Sequence, residues 1–258
     1  MLTSTVDLAG DTGMEWKDYA VEIRKLLALK GNPVAVTYSM KAPSRSAEGK
    51  FRVCDAFLDA RDGKVVDLTL SSSACNGGTW HLGLGERPKG EADKALKEFL
   101  VNGEKLFCSI GALYRSQYLS TPPPIGLAEH VILSPMDKAE FRPDIVLFVC
   151  NAEQACRLVT LDEYDTGIPA KIEISGSTCH QAVAYPLVTG ELNVGLMDYT
   201  SRRIKGYKPE DLLVSIPYHR FHGVMRSIDY CTAGRAKMEI PESFRRVVSE
   251  DTLRGLED

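Results

Sequence analysis

The sequence predicts an α+β fold in which two pseudo-repeated halves form one compact domain, closed by a C-terminal helix. Helix-like and strand-like segments alternate along the 258 residues without the regular strand-to-helix order of a doubly wound sheet. Two short cysteine motifs also recur in the same order. We place the domain at 15–240, its halves at roughly 15–120 and 125–240, and the final helix at 241–258.

The first half begins with an amphipathic helix. Apolar residues recur at three- and four-residue steps from Trp16, which predicts a helix that ends near Gly31. Pro33 excludes helix from the next segment, NPVAVTYS, whose valines favour a strand. FRVCDAFL and KVVDLTL, on either side of the turn at 61–63, predict a hairpin. A second helix is expected from Glu91 to Val101.

A linker and four further strands are expected in the second half. The three prolines of STPPPIG have no amide donors, so this stretch predicts an extended connection. Beyond it, HVILS, DIVLFVC, AKIEIS and NVGLM predict strands, with a helix from Ser177. The tail from Glu242 to Leu256 predicts a surface helix.

The predicted repeat depends on two alignments. FRVCDA, with Cys54, matches LFVCNA, with Cys150, and LTLSSSAC, ending at Cys75, matches IEISGSTC, ending at Cys179. Unequal loops between the motifs are compatible with an ancient duplication, because loop insertions cost little free energy. If both Cys75 and Cys179 lie between a strand and a helix, a two-fold arrangement would bring all four thiols together. Chance recurrence of serine-rich loops and buried cysteines is the alternative.

Charge and hydropathy exclude some classes of function. The chain has 31 Lys and Arg against 35 Asp and Glu, which leaves no broad cationic surface for nucleic acid. No apolar run reaches the ~18 residues of a membrane span, and the N-terminus lacks the features of a signal peptide. We therefore expect a cytoplasmic protein that binds neither nucleic acid nor membrane.

Seven cysteines are many for a reduced compartment, and their odd number argues against a disulfide framework. Each is a buried hydrophobe, a ligand or a reactive thiol. Four thiolates complete the shell of an iron–sulfur cluster or of zinc, and we predict Cys54, Cys75, Cys150 and Cys179 as ligands. Hydrogen bonds to cluster sulfurs tune the potential, which favours the cluster over zinc and assigns a cofactor-binding role to Ser71, Ser73, Gly77, Gly78, Ser175 and Ser177.

The expected function is electron transfer or redox sensing with a redox partner protein. No acid, base or open coordination position can be named, so whether the protein is an enzyme stays open. In one alternative Cys179 is a nucleophile whose pKa is lowered at a helix N-terminus. The adjacent His180 would face elsewhere, so His81, His219 or His222 would have to serve as the base. Equally, Ser177 simply caps the helix and Cys179 packs in its first turn.

A second alternative is a binding module without catalysis. The stretch YTSRRIKGYK carries a basic patch, and Arg202 and Arg203 would anchor a small anionic ligand in a cleft between the halves. A solvated surface explains the same charges.

Several of these motifs together resemble a known family. The Val-Cys-x-Ala segment, the SSSACNGG loop, the GSTC motif and SIPYHRF are similar to those of the domain-of-unknown-function 169 family of archaea and anaerobic bacteria, from about Tyr19 to Arg235. The resemblance implies a cytoplasmic protein, commonly of anaerobes, whose recurrent cysteines are compatible with a metal or cluster. It implies no particular reaction.

Overall fold

The computed structural model describes residues 16–118, 120–174, 177–204 and 206–257, and it confirms the α+β class. Its centre is a six-stranded antiparallel sheet with the order β2-β3-β1-β4-β6-β5. The strands are β1 (Val34–Ser39), β2 (Val66–Leu68), β3 (His130–Pro135), β4 (Ile145–Cys150), β5 (Asn193–Gly195) and β6 (Leu212–Pro217).

Helices cover both faces of the sheet. They are α1 (Trp16–Leu26), α2 (Val53–Arg61), α3 (Asn76–His81), α4 (Gly90–Glu98), α5 (Ile110–Tyr118), α6 (Ala152–Glu163), α7 (Tyr185–Thr189), α8 (Tyr199–Ile204), α9 (Tyr218–Ser227), α10 (Glu242–Arg245) and α11 (Glu250–Glu257). A 3-10 turn follows β3 at Met136–Lys138, and π-helical turns occupy Phe99–Gly103 and His180–Ala184. In the described chain, none of the helices is long and apolar enough to cross a bilayer.

The two faces of the sheet have separate apolar cores, because successive strand residues point to opposite sides. One core, here called the α1 face, is covered by α1, α6 and α9 and includes Phe148 and Cys150 of β4. The other, the α2 face, is covered by α2, α3 and the helical segment 180–189, and it includes Ile145 and Leu147 of the same strand.

The strands of the sheet repeat in order, direction and register. The first three strands are ordered β2-β3-β1, and the last three have the mirrored order β4-β6-β5. The first residue of β1 pairs with the last of β3, as the first of β4 pairs with the last of β6. β2 and β5 begin opposite equivalent residues of β3 and β6. An approximate two-fold axis therefore passes between β1 and β4, which pair antiparallel.

This repeat is not the one that the cysteine motifs predict. Cys150 ends β4 and is equivalent to Ser39 at the end of β1, whereas Cys54 lies in α2. Cys75 comes after β2, but Cys179 comes before β5. The predicted equivalence of the motifs is therefore wrong, and the half-sheets divide at 136–144 rather than at STPPPIG.

The expected hairpin is also wrong, since its first segment forms α2. Val53, Ala56, Phe57 and Ala60 recur at helical spacing and are all buried, so the burial of this helical face overrides the local strand preference. β2 instead pairs with β3, far along the chain.

Two segment predictions in the second half need correction. Residues 171–174 are not a strand; the Glu173 amide donates to the Asn193 side chain instead of to a strand partner. The C-terminal tail forms two short helices, α10 and α11, rather than one. The first helix ends at Leu26 rather than near Gly31. The sequence patterns also did not predict β6, which ends with the first three residues of SIPYHRF.

Candidate thiol site

Cys54 lies in the first turn of α2, on the α2 face. The Ser201 hydroxyl hydrogen-bonds its thiol, and the Tyr207 hydroxyl donates to its backbone carbonyl over 2.7 Å. Burial raises the pKa of the Cys54 thiol, with a smaller opposing effect of the Ser201 hydrogen bond. Contacts from two distant segments therefore hold this cysteine in place.

Cys75 is the N-cap residue of α3. The Gly78 N–H donates to its Sγ over 3.4 Å, so the thiol replaces the hydroxyl that usually caps a helix. The Thr79 hydroxyl lies 2.7 Å from Ser73 Oγ and 2.9 Å from the Cys75 carbonyl oxygen. These bonds fold the serine-rich loop back onto the first turn of α3.

Cys179 lies just before the π-helical turn and is 9% exposed. Gly78 allows it to approach α3: a Cβ at Gly78 would lie 3.7 Å from Cys179 Sγ and only 2.7 Å from Val53 Cγ2. Gly78, in α3, therefore packs directly against α2 and against the segment that carries Cys179. The absence of a side chain at Gly78 lets the three cysteine-bearing segments meet.

The three thiols influence each other electrostatically. Burial is the main cause that raises the pKa of Cys179, and the Cys75 and Cys54 charges raise it further. The Cys75 charge also raises the pKa of Cys54, with burial again the main cause. Asp198 adds to both shifts. All three pairs are therefore close enough to repel when ionised, in a region of negative potential.

The Asp198 carboxylate connects two of the segments at this site through hydrogen bonds. It accepts hydrogen bonds from the backbone and side chain of Thr178 and of Ser201, and so ties the residue before Cys179 to the residue that contacts Cys54. Met197, just before it, has a φ of 64°, a left-handed conformation that a non-glycine residue rarely adopts. The Gln181 side chain accepts its amide N–H.

Cys150 does not join the other three predicted ligands. It lies in the α1-face core, and its burial raises the pKa of its thiol to about 12. β4 places alternate residues on opposite faces, and Cys150 falls on the wrong one. In the described part of the chain, no three His, Cys, Asp or Glu side chains are arranged around a single metal ion.

The serines and glycines that were predicted to bind the cofactor lie in different surroundings. Ser71 is exposed, and its hydroxyl lies 3.0 Å from that of Thr69. Ser177 accepts the His180 amide over 3.5 Å, which is the helix-capping role considered as an alternative. A Cβ at Gly77 would make only an ordinary contact, 3.9 Å from Cys75 Sγ. Ser175 lies outside the described residues.

The expected low pKa of Cys179 is contradicted, because burial and neighbouring negative charge raise it well above the usual value. Of the histidines named as bases, His222 contacts the Tyr19 hydroxyl at 3.0 Å on the α1 face, and His219 is exposed on the same helix, α9. His81 is buried beside His180, with ring centroids 5.9 Å apart.

The arginines of the basic patch have structural roles. Arg202 donates to the backbone carbonyls of four residues, Leu196, Lys208, Pro209 and Asp211. Arg203 lies over the Tyr199 ring, 5.5 Å from its centroid. Arg202 is thus occupied in holding a loop, which counts against it as an anchor for an anion.

Three polar side chains stand out on the α2 face: His81 and His180, which sequence reasoning named, and Tyr38, which it missed. Neither ring nitrogen of His180, nor Nδ1 of His81, nor the Tyr38 hydroxyl has a hydrogen-bond partner within the described residues, although all are buried. Burial raises the pKa of Tyr38, with smaller contributions from the charges of Asp144 and Cys179. No local pattern marks these residues, since their burial depends on tertiary contacts.

Comparison with known proteins gives a family but no chemistry. The model of the DUF169 family, described as "Uncharacterised ArCR", matches residues 22–227. An uncharacterised protein of Methanocaldococcus jannaschii, MJ0308, is 26% identical over 230 residues, which cover 84% of this chain and 94% of that protein. No solved structure matches the chain.

Proposed function

The chain belongs to the DUF169 family, and from its site we propose that Cys54, Cys75 and Cys179 bind an iron–sulfur cluster on the α2 face, for electron transfer or redox sensing. The observation that carries this proposal is the convergence of three thiols from three separate segments. Each pair is close enough for the charge of one to raise the pKa of another. The fourth iron of a four-iron cluster would then have no cysteine ligand from this set.

The electrostatic surroundings support a cationic centre. Burial and the neighbouring negative charges, including that of Asp198, raise the pKa of the Cys54 and Cys179 thiols, so that free thiolates are disfavoured there. Iron ions would displace the thiol protons and relieve this repulsion, because metal ligation requires thiolates. The same negative potential disfavours an anionic ligand here.

The donor set favours a cluster over zinc. A single zinc ion needs its sulfur ligands about 2.3 Å from one point, and the described residues contain no such group of three. A cluster presents a separate iron atom to each thiolate, so its ligands lie farther apart. The Gly78 N–H that points at Cys75 Sγ is the kind of donor that tunes the potential of a cluster.

When bound, the cluster would supply one-electron chemistry. The protein's own contribution is to hold three thiols in place, to donate a hydrogen bond to Cys75 Sγ, and to keep most water away from Cys179, which is 9% exposed. The buried Tyr38 hydroxyl, unpartnered among the described residues, would be able to donate a hydrogen bond at the site.

The test is anaerobic purification and reconstitution, with iron and sulfide measured in the parent and in single alanine variants. We expect iron and sulfide in about equal amounts in the parent and a loss of most of both in Cys54→Ala, Cys75→Ala and Cys179→Ala. Cys150→Ala is the matched control, a buried cysteine on the α1 face, and Cys156→Ala is an exposed one. Both should retain the cluster.

Three results contradict the proposal: zinc alone in the parent, no metal after anaerobic reconstitution, or equal loss in Cys150→Ala and Cys75→Ala. Equal loss in these two variants would mean that Cys150 is a ligand after all. Circular dichroism of each variant without metal distinguishes ligand loss from misfolding.

A further inference from the structure

A second cluster of reactive groups lies at the edge of the sheet, away from the proposed thiol ligands. His130 Nδ1 is 2.9 and 3.0 Å from the two carboxylate oxygens of Asp67. Both side chains are largely buried, at 18% and 14% exposed. Nothing in the proposed cluster site uses this pair.

The sheet itself sets the geometry of the pair. Asp67 in β2 lies opposite Ile132 in β3, and His130 is two residues from Ile132, so all three project from the same face. The neighbouring residues Val66 and Leu68 belong to the α2 face, so the pair lies on the opposite side of the sheet from the thiols. A diagonal cross-strand contact on paired strands is rigid, as a catalytic pair has to be.

A carboxylate on Nδ1 prepares an imidazole to act as a base. The carboxylate accepts the Nδ1 proton and fixes the tautomer in which Nε2 carries the lone pair. No hydrogen bond to Nε2 of His130 is found from the described residues. The nitrogen that would take a proton is therefore available.

A cleft adjoins this histidine. It has a volume of about 530 Å³ and is lined by His130, by Thr69 and Ser71 with their hydroxyls, and by the apolar side chains of Leu70, Leu84 and Ile125. The one charged residue among the other lining residues is Glu129, an acid. The cleft thus fits a neutral molecule with an apolar part better than an anion.

We propose that this cleft is a hydrolytic site for small neutral esters, with His130 as general base and Asp67 as its positioning residue. Nε2 removes a proton from a water molecule as the water oxygen bonds to the ester carbonyl carbon. The carbon–oxygen bond to the leaving group then breaks, and the proton on Nε2 passes to the leaving alkoxide. Water is the only co-reactant, so the step is balanced.

The experiment measures hydrolysis of p-nitrophenyl butyrate by the full chain without metal, so that its outcome does not depend on the thiol site. We expect His130→Gln and Asp67→Asn to lower kcat/KM at least about 100-fold, the lower range for loss of a general base. His219→Gln, which removes an exposed histidine, should leave the rate unchanged and controls for background imidazole catalysis. Thermal unfolding of each variant checks that the fold is intact.

Ser71→Ala separates a water nucleophile from a serine nucleophile. The proposal expects this variant, which removes a hydroxyl from the cleft wall, to lower kcat/KM much less than His130→Gln does, since no hydrogen bond joins Ser71 to His130 among the described residues. A loss as large as that of His130→Gln would overturn the water step. Equal rates in the parent and in His130→Gln, or no hydrolysis above the protein-free buffer, would overturn the site.

Discussion

Each face of the sheet buries its own core of apolar side chains, but the two faces differ in their polar groups. The α1 face is closed by long helices, and its buried thiols, Cys150 and Cys231, lie among aliphatic and aromatic residues. The α2 face is closed by short helices and a π-helical turn, and three thiols meet there.

Unsatisfied polar groups are also distributed unequally. Of seven buried side-chain atoms without partners among the described residues, five belong to Tyr38, His81, His180 and Ser215 on the α2 face. An unpaired buried polar atom costs about 1–3 kcal/mol, so such a concentration points to a ligand or to ordered water. A buried cysteine therefore indicates a binding site when the polar groups around it lack hydrogen-bond partners, as they do among the described residues of the α2 face.

The largest expected difference between the faces is a loss of folding stability in acid, caused by the buried His81 of the α2 face. Burial, with the His180 and Arg87 charges, lowers its pKa from 6.5 to about 3. Between these values the unfolded chain binds a proton that the folded chain does not, so stability present above about pH 6.5 falls as the pH is lowered toward 3. The shift corresponds to at most about 5 kcal/mol.

Urea unfolding from pH 7 to pH 4 measures this effect. His81→Phe should flatten the pH dependence, whereas His219→Phe, at an exposed position on α9, should change it less. A parent and His81→Phe with parallel pH profiles would show that His81 is not buried in its neutral form.

The junction of the three thiol segments gives the next largest effect. Gly78→Ala would place a Cβ 2.7 Å from Val53 Cγ2, and we expect it to destabilise the protein by about 1–3 kcal/mol and to lower cluster binding. Gly223→Ala in α9 is the matched control, because no atom lies within 4 Å of its Cβ. That variant should gain up to about 1 kcal/mol from helix propensity.

Denaturant midpoints of the two glycine variants test this expectation. If Gly78→Ala were as stable as the parent, the close approach of α2, α3 and Cys179 would be wrong, and the convergence of thiols with it.

The smallest expected effect is a difference in folding stability between phenylalanine variants of two tyrosines on the α2 face. The Tyr207 hydroxyl donates to the Cys54 carbonyl, so Tyr207→Phe should cost about 1 kcal/mol or somewhat more. The Tyr38 hydroxyl has no partner in the described part of the chain, so Tyr38→Phe should leave the metal-free protein equally or slightly more stable. Thermal unfolding of both variants measures the difference. A larger loss in Tyr38→Phe than in Tyr207→Phe would mean that Tyr38 has a partner in the metal-free protein.

Much of the secondary structure was predictable because its signals are local. The first helix and strands β1, β3, β4 and β5 follow from apolar periodicity and from Pro33, which act over a few residues. The strand prediction for FRVCDAFL was wrong. A valine and a cysteine suggest a strand, whereas the burial of Val53, Ala56 and Phe57 on one helical face depends on packing against the sheet.

The α+β class and the residue types of the candidate site, namely cysteines near serines and glycines, follow from local sequence patterns. Which cysteines meet depends on the packing of distant segments. Cys150 is excluded by the alternation of side chains along β4, and Cys54, Cys75 and Cys179 are brought together by α2 and α3 packing on one face. Strand pairing between distant segments sets these relations, and no spacing within a single motif encodes them.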